Sequence, residues 1–445
     1  MALGNPDMNL HDSVPPAPPL EPYRPTRWST VIALSFALLI AGVLGLIMAP
    51  IQEAARLELQ FTDVQMSLIN GTSKALPMAL LSVPIGLAID HANRARLALI
   101  FGLIWTAGTF WTAYANDFTS LFTARMLVGF GTGSLLGVAL SMIADLCMPE
   151  KRGRVLLLAG IGSWFGVAVA FGLGGGLLGY FSRPGTGLIE GLSPWRQTII
   201  AVGILGAVSL IPIALMREPV RHEREQRDNR IMPALRALWA RRAFMIPLLF
   251  AAMTGGIAEG AAALWSAPVL SRDYGLQPHQ FGGWMDAVIF VSGVGGSIIG
   301  GFVSDWGSRQ QRRGGILIGG IIATALSIPA GAFTVMPSVG MFAFALAVLL
   351  TGGAVIAIVL SAAITSLIPN EERGTALAAS GVVSTLTGLA LAPSVVTLGG
   401  WIYGDEGHLG VIIAWVGVVT GVMSLIGLIL AMANAPQRVA DTISV

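Results

Sequence analysis

The sequence is poor in charge, in cysteine and in histidine. Only 11% of its 445 residues are Asp, Glu, Lys or Arg, whereas average soluble domains carry about a quarter. The single cysteine, Cys147, excludes an internal disulfide and a cysteine metal cluster. The five histidines fall in tails or between apolar runs, which argues against a histidine proton relay.

Catalytic and cofactor-binding patterns are also missing. The sequence has no Ser/His/Asp arrangement, no metal-ligand spacing and no nucleotide-binding loop with its lysine. We therefore predict that the protein is not an enzyme, uses no cofactor or metal, and binds no nucleic acid. Without an ATP site, any transport activity would have to use a gradient.

Apolar segments, by contrast, are abundant, and 54% of the residues are hydrophobic. Many segments reach about 20 residues, the length that spans a bilayer. Each is predicted to be a helix, because lipid leaves backbone groups no partner outside the segment. Twelve segments are predicted, at 28–50, 65–89, 96–115, 118–146, 153–181, 195–216, 244–270, 280–303, 314–335, 338–367, 375–399 and 409–432.

The distribution of Lys and Arg predicts the orientation in the membrane. With the amino terminus in the cytoplasm, 20 of these residues fall on the cytoplasmic side and 4 on the other, which is the bias that the positive-inside rule describes. We therefore predict a multi-pass protein of the cell inner (plasma) membrane with both termini cytoplasmic.

The longest charged connection divides the chain into two halves. We predict a disordered tail at 1–27, an amino-terminal six-helix bundle at 28–216, a basic cytoplasmic linker at 217–243, a carboxy-terminal six-helix bundle at 244–434 and a tail at 435–445. The linker either lies on the anionic inner leaflet or is a solvated connection, and the second interpretation is favoured.

A repeated motif supports the division. Gly86 and Asp90 form a Gly-x-x-x-Asp turn that returns 215 residues later as Gly301 and Asp305. Basic residues follow each turn: Arg94, Arg96 and Arg309. Arg152, which precedes a glycine, has a counterpart 221 residues later in Arg373, which also precedes a glycine. Two motifs repeated in order at nearly one spacing indicate a duplicated half-molecule.

Together with the two six-helix halves, these turns resemble the major facilitator superfamily. The motif Arg125-x-x-x-Gly129-x-Gly131-x-Gly133 matches the superfamily's second signature. The resemblance implies an all-α membrane protein, with twelve transmembrane helices in two pseudo-symmetric six-helix bundles (the major facilitator fold), working by alternating access.

Three further segments resemble the Spinster-like branch of the superfamily. They are Pro194-Trp-Arg196, Arg217-Glu218-Pro219-Val-Arg221 and Trp265-x-x-Pro268-x-x-x-Arg272. That branch includes lysolipid and sphingolipid exporters, with acidic groups in helices 1 and 4 that matter for coupling. Here segment 28–50 has no ionisable residue, and Thr132 stands two turns after Arg125.

The turn residues are predicted to form a conformational latch. A carboxylate at the end of a helix opposes the helix dipole, so Asp90 and Asp305 must gain stabilisation elsewhere. We expect them to stabilise the outward-facing state, with Arg152 and Arg373 as candidate partners. The alternative is a static turn that only sets topology. Gly86, Arg94, Arg96, Gly301 and Arg309 belong to the same predicted latch.

Away from the segment ends, four charged residues lie within apolar segments: Lys74, Arg125, Glu259 and Asp286. Each costs roughly 2.5–3.5 kcal/mol in hydrocarbon, so all should face the bundle interior. In one interpretation, Lys74 and Arg125 attract an anionic head group while Glu259 balances charge or carries a proton. In the other, the four pair with one another, or Arg125 bonds to backbone carbonyls.

Aromatic residues could line the same cavity, since amphipathic substrates favour aromatic walls. Trp164 and Trp265 are the candidates for substrate binding, although for each residue taken singly ordinary packing is the favoured interpretation. Asp286, with Glu259, is a candidate for proton coupling. The predicted partners are the lipid bilayer and a small-molecule or lipid-like substrate, and the protein is predicted to be a monomer.

The predicted function is secondary active transport of a small organic anion or an amphipathic anionic molecule, with proton coupling through Glu259. One alternative is an exporter of lipids or cationic amphiphilic drugs, in which Glu259 and Asp286 bind the cation. An alternative of another class is a membrane receptor or sensor that binds a ligand without transporting it.

Overall fold

The computed structural model describes residues 28–147, 149–221, 238–310, 312–403 and 408–436. The predicted amino-terminal tail, most of the predicted carboxy-terminal tail and most of the predicted basic linker lie outside the described residues. The described part of the chain is helical and contains no strand.

Among the described residues, eleven helices are long and apolar enough to cross a membrane, and a bent pair, Asp63–Ser82 with Pro84–His91, makes a twelfth when it is counted as one span. We number the spans α1 to α12. They are α1 (Trp28–Leu59), α2 (the bent pair), α3 (Arg94–Tyr114), α4 (Phe118–Leu146), α5 (Pro149–Phe181), α6 (Pro194–Ala214), α7 (Arg242–Arg272), α8 (Pro278–Arg309), α9 (Gly315–Val335), α10 (Val339–Leu367), α11 (Asn370–Leu386 continued by Ala392–Tyr403) and α12 (Leu409–Ala433).

Helix α1 is longer than predicted, and the predicted end at residue 50 was wrong. It consists of two segments, Trp28–Leu46 and Met48–Leu59. Pro50 has no N–H for the carbonyl of Leu46, so the helix breaks there. The chain then continues as a helix whose apolar face is buried while its polar residues find partners described below. The first span therefore does carry ionisable residues, in its second segment.

The helices pack in two groups. Helix α1 packs against α4, α5 and α6, while α3 packs against α4 and α6. In the other group α7 packs against α10, α11 and α12, and α9 lies against α10 and α12. The main seam between the groups is the long contact of α5 with α8. We call the groups the first half (α1–α6) and the second half (α7–α12).

The two ends of the molecule differ. We call the end where α1 begins and α12 ends the terminal end, and the other the opposite end. Towards the opposite end the halves touch closely: a Cβ at Gly175 would lie 2.3 Å from the carbonyl oxygen of Pro278. At the terminal end, a Cβ at Gly86, Gly301 or Gly374 would meet no atom within 4 Å. The halves therefore meet at the opposite end and leave these terminal-end glycines uncovered.

Helices α2 and α11 also meet across the seam, at a π-helical turn in each. The turns are Leu68–Thr72 and Thr387–Leu391. A Cβ at Gly71 would lie 2.1 Å from the carbonyl oxygen of Leu389, so only glycine permits this approach. π-Turns are frequent at functional sites, and Leu389 lines the cavity described next.

Candidate functional site

A cavity of about 480 Å³ lies between the halves and extends into the second half. This volume falls within the roughly 300–1,000 Å³ of small-molecule sites. The described residues of its wall are mostly apolar, and two of them are charged, Lys74 from α2 and Glu259 from α7. Trp164, from α5, is also in the wall, and its ring lies against Gly293 of α8.

Lys74 reaches the break in α1. Its Nζ donates a hydrogen bond of 2.7 Å to the carbonyl oxygen of Gly45. This carbonyl belongs to the last turn of the first α1 segment, where carbonyls lack helical partners and the dipole favours a cation. Gly129 makes the position possible, because a Cβ there would lie 2.6 Å from the Cα of Lys74.

Arg125 lies behind Lys74 and is fully buried. It donates to the carbonyls of Leu44 and Gly45 at 3.2–3.5 Å, which is long for a hydrogen bond. Its Nε has no partner among the described residues. Arg125 thus bonds to backbone carbonyls, which was one of the expectations for it. The arrangement leaves one buried donor, the Nε–H, unsatisfied among the described residues.

Lys74 and Arg125 have no neighbouring carboxylate to balance their positive charge. No carboxylate of the described residues lies within 4 Å of the ammonium of Lys74 or the guanidinium of Arg125. The alternative in which they pair with Glu259 or Asp286 is therefore absent from the described part of the chain. Because burying an unpaired cation is costly, the arrangement favours an anion at the cavity wall beside Lys74.

Glu259 lies in the cavity wall over Gly353 of α10. A Cβ at Gly353 would lie 1.2 Å from its Oε1, so any other residue at this position would displace the carboxylate from its present place. None of the described residues forms a hydrogen bond or ion pair with it. Glu259 is therefore an unpaired carboxylate that a ligand or a proton can reach.

Asp286 and Trp265 do not line the cavity. The carboxylate of Asp286 accepts a hydrogen bond of 2.7 Å from the backbone N–H of Gly172, across the seam between α8 and α5. Trp265 is 2% exposed and packs inside the second half. Of the six residues predicted for substrate binding and coupling, the structure brings Lys74, Trp164 and Glu259 together around the cavity.

The latch residues lie at the terminal end. The carboxylates of Asp90 and Asp305 are exposed and bond to none of the described residues. Arg96 and Arg309 are exposed as well. Arg373 donates to the carbonyl oxygen of its neighbour Ile368. The side chain of Arg152 lies outside the described residues.

Arg94 does not bond to Asp90. Its guanidinium lies between Asp145 of α4, at 2.5 Å, and Glu218 at the start of the linker, at 2.7 Å. Arg221 instead caps the end of α2 by donating to backbone carbonyls there, including that of Asp90. Cations at a helix carboxyl end are favourable. Sequence reasoning missed Asp145 and Glu218, because their partner is distant in the chain.

A second charged cluster, at the opposite end, was not predicted. Arg272, at the end of α7, bonds to Glu53 of α1 at 2.8 Å and to Asp63 of α2 at 2.7 Å. Arg56 also lies beside both carboxylates, 2.8 Å from that of Glu53 and 3.8 Å from that of Asp63. We call these four residues the closing cluster. It joins the two halves, since Arg272 alone belongs to the second.

Gln52 makes another bond between the halves. Pro268 cannot donate to the carbonyl of Leu264, four residues earlier in α7. The Nε2 of Gln52 donates to this free carbonyl, and the Oε1 of Gln52 accepts from Asn70 of α2 at 2.6 Å. The signal in the sequence was Pro268 inside an apolar segment, which leaves a carbonyl for a neighbour to bind.

These features define a multi-span membrane protein with two helical halves around a charged, mostly apolar cavity. A sequence model of the Major Facilitator Superfamily matches residues 30–393, and the chain therefore belongs to this superfamily. The prediction that it is not an enzyme is confirmed by this membership of a family of transporters.

Relatives and a solved structure agree with the assignment. The chain is 24% identical over 295 residues to Protein spinster of Drosophila melanogaster, over 64% of this chain and 47% of the fly protein, and so spans about half of that relative. It is 26% identical over 330 residues to the 3-(3-hydroxy-phenyl)propionate transporter of Escherichia coli (strain K12), over 73% and 75% of the two chains. The predicted resemblance to the Spinster-like branch is confirmed.

A crystal structure of a bacterial homolog to the human lysosomal transporter Spinster, in an inward-facing and unoccupied conformation, superposes with a TM-score of 0.74 at 20% identity. The match covers 93% of this chain and 96% of the other. The fold is the major facilitator fold, as predicted.

Proposed function

We propose that the protein is a secondary transporter that moves a small organic anion, or an amphipathic molecule with an anionic head, by alternating access. The observation that carries the proposal is Lys74 in the cavity wall, backed by Arg125, with no carboxylate partner among the described residues. The name of the Escherichia coli relative gives an aryl carboxylic acid as its substrate, which agrees with an anionic head and an apolar body.

The proposed orientation follows from the excess of Lys and Arg at the terminal end, which the positive-inside rule assigns to the cytoplasm. Both termini are then cytoplasmic, and we propose the plasma membrane as the location and a monomer as the oligomeric state. In this orientation the closing cluster seals the outside, and the uncovered glycines lie at the cytoplasmic side. The state described is therefore inward-facing.

The broken helix α1 couples the cavity to the outer closure. Lys74 and Arg125 bond to the last carbonyls of its first segment, while Gln52 and Glu53 of its second segment bond to the second half. An anion that binds the ammonium of Lys74 pulls it towards the cavity and away from the carbonyl of Gly45. Substrate binding then loosens the α1 break, and the second segment can separate from α7.

Replacing Lys74 tests the proposed substrate class. Lys74→Gln keeps a donor for the carbonyl of Gly45 and removes the charge. A hydrogen bond to a charged group contributes about 1.5–3 kcal/mol, so binding of octanesulfonate should weaken roughly 10- to 100-fold. The measurement is ligand-induced thermal stabilisation of the purified protein. Octyltrimethylammonium, which has the same chain and the opposite charge, is the control ligand.

A second candidate is export of cationic amphiphiles, which the unpaired carboxylate of Glu259 in an apolar wall favours. The same two ligands separate the candidates. If octyltrimethylammonium stabilises the native protein and octanesulfonate does not, the anion assignment is wrong. Glu259→Gln should then abolish the stabilisation by the cation.

The latch is proposed to act in the outward-facing state. Its carboxylates, Asp90 and Asp305, bond to none of the described residues here, and the neighbouring Gly86 and Gly301 face open space. Closing the cytoplasmic side would bring these surfaces into contact. Each carboxylate then gains a contact with a cation or with the amino-terminal end of a helix, where the helix dipole is positive.

Asp90→Asn should lower the outward-facing population several-fold and slow transport, because the closed cytoplasmic side loses a charged contact. Double electron–electron resonance between labels on the two halves measures the population. Asp305→Asn is the equivalent change in the second half and should act in the same direction. Unchanged transport together with an unchanged population would show that the turn is static.

A further inference from the structure

The π-helical turn of α2, Leu68–Thr72, comes directly before the segment that carries Lys74. The N–H of Ser73 bonds to the carbonyl of Leu68, five residues earlier, as in a π-turn. The carbonyl of Ile69, which this N–H would take in an α-helix, accepts from the Oγ of Ser73 instead. Because Ser73 can satisfy this carbonyl with either group, the turn has an α-helical alternative that leaves Ile69 paired.

Conversion of the turn would change the direction of Lys74. A π-turn holds one residue more than an α-turn, so its loss rotates the residues that follow by about 100° and moves their Cα atoms by about 3.5 Å. Pro77, in the next turn, has no N–H for the carbonyl of Ser73. The helix can take up the extra residue there, so that only the turn with Lys74 rotates. Its bond to the carbonyl of Gly45 then breaks.

Two contacts that hold the π form lead to the second half. A Cβ at Gly71, inside the turn, would lie 2.1 Å from the carbonyl oxygen of Leu389 in α11, so α11 lies against the widened backbone. Asn70, which is 1% exposed, donates to the Oε1 of Gln52 at 2.6 Å, and Gln52 donates to the carbonyl of Leu264 in α7. When the outside opens, α7 and α11 move away and both supports are lost.

We propose that Asn70 and Ser73 are positioning residues for Lys74. They hold the α2 π-turn, which directs Lys74 into the cavity wall while the outside is closed and turns it away when the outside opens. The inference rests on the proposed function, in which Lys74 binds the anion. The anion is then bound more weakly in the outward-facing state, so opening of the outside favours its release there.

The test observes Lys74 directly. The sequence contains two lysines, Lys74 and Lys151, so Lys151→Arg leaves a single one. Protein made with carbon-13 at the lysine Cε then gives one lysine signal by nuclear magnetic resonance, and its position reports the surroundings of Lys74 without any ligand. All variants are made in this background, and their binding of octanesulfonate is measured by thermal stabilisation.

Asn70→Ala removes the donor to Gln52, and Ser73→Ala removes the hydroxyl that bonds to Ile69 in the π form. Ser73→Ala is the milder change, since the N–H of residue 73 can still pair that carbonyl in the α form. Both variants should move the Lys74 signal to a common new position and weaken octanesulfonate binding roughly tenfold.

Ser67→Ala is the matched control. Ser67 directly precedes the same turn and is 3% exposed, and its Oγ has no partner among the described residues. The substitution removes a buried hydroxyl of the same kind without removing a bond. The Lys74 signal and the Kd for octanesulfonate should therefore stay as they are in the parent protein.

Gly175→Leu tests the link to the outer closure from a distance. A Cβ at Gly175 would already lie 2.3 Å from the carbonyl oxygen of Pro278, so a leucine there wedges α5 and α8 apart at the opposite end. Double electron–electron resonance between labels on the two halves confirms the opening. The Lys74 signal should move to the position that it takes in Asn70→Ala.

The outcomes separate the positioning of Lys74 from the proposed function. A signal that keeps its native position in Asn70→Ala, Ser73→Ala and Gly175→Leu overturns the inference, and so does a signal that Ser67→Ala moves equally far. If the signal stays in place while the labels of Gly175→Leu show an open outside, the turn does not follow the closure and the inference is wrong. If the signal moves as expected but octanesulfonate never binds, the positioning is supported and the anion transport proposal fails.

Discussion

Arg272→Ala should open the outside of the transporter. Among the described residues, Arg272 is the member of the closing cluster that belongs to the second half, and its partners Glu53 and Asp63 lie in the first half. The side chains are 14–18% exposed, so the bonds are largely shielded from water. Losing charged hydrogen bonds of this kind costs about 2 kcal/mol, which is roughly thirtyfold in the ratio of inward- to outward-facing states.

The substitution should not unfold the first half, because Arg56 remains beside both carboxylates. Labels at Leu188→Cys and Val335→Cys, two exposed positions on different halves, in a Cys147→Ala background, report the distance across the outside. The matched control is Arg196→Ala. Arg196 bonds to Glu58, Asn116 and the carbonyl of Ala113, all in the first half.

The control should lower the melting temperature and leave the state ratio unchanged. Arg272→Lys keeps one charge without the planar fork that bonds two carboxylates at once, and should give an intermediate ratio. If Arg272→Ala leaves the label distances as they are in the native protein, the closing cluster does not hold the outside shut.

The twelve spans and their order could be predicted from the sequence, because apolar length is a local property and a single apolar segment in lipid satisfies its own backbone groups only as a helix. The end of α1 was missed for the same reason. Its second segment carries Gln52, Glu53 and Glu58, which interrupt the apolar run, and the helix continues because partners from other helices bond to them. Local patterns cannot show such partners.

The candidate site was predictable in part. The cost of a charge in hydrocarbon indicates that Lys74 and Glu259 face the interior, and both line the cavity. The same argument applies equally to Arg125 and Asp286, which lie outside its wall. A single sequence gives the depth of a residue in the bilayer but not the helix it faces. The bond from Arg272 to Glu53 joins residues 219 positions apart.

Glu259→Gln should abolish uptake driven by a pH gradient and spare exchange. Glutamine has the shape of the protonated acid and cannot release a proton, so the cycle loses its coupling step. Exchange of one substrate molecule for another needs no net proton movement, and it continues. Proteoliposomes loaded with buffer or with octanesulfonate measure the two activities side by side, with labelled octanesulfonate outside.

Gly353→Ala provides an independent test of the same carboxylate. The new methyl group would occupy the place of the Glu259 Oε1, so the carboxylate must move from its position in the wall. We expect gradient-driven uptake to fall at least tenfold while Glu259 itself is still present. The shape of the cavity wall, and not only the presence of an acid, then sets the coupling.

Asp286→Asn is the matched control, because Asp286 is, like Glu259, a carboxylate away from the ends of its span in the second half, and it bonds to the N–H of Gly172 outside the cavity wall. An asparagine oxygen can still accept that hydrogen bond. Gradient-driven uptake should therefore survive in Asp286→Asn. If gradient-driven uptake survived in Glu259→Gln and was lost in Asp286→Asn, the coupling proton would be assigned to Asp286, at the seam between α5 and α8. The rocking of the two halves would then make and break its hydrogen bond directly.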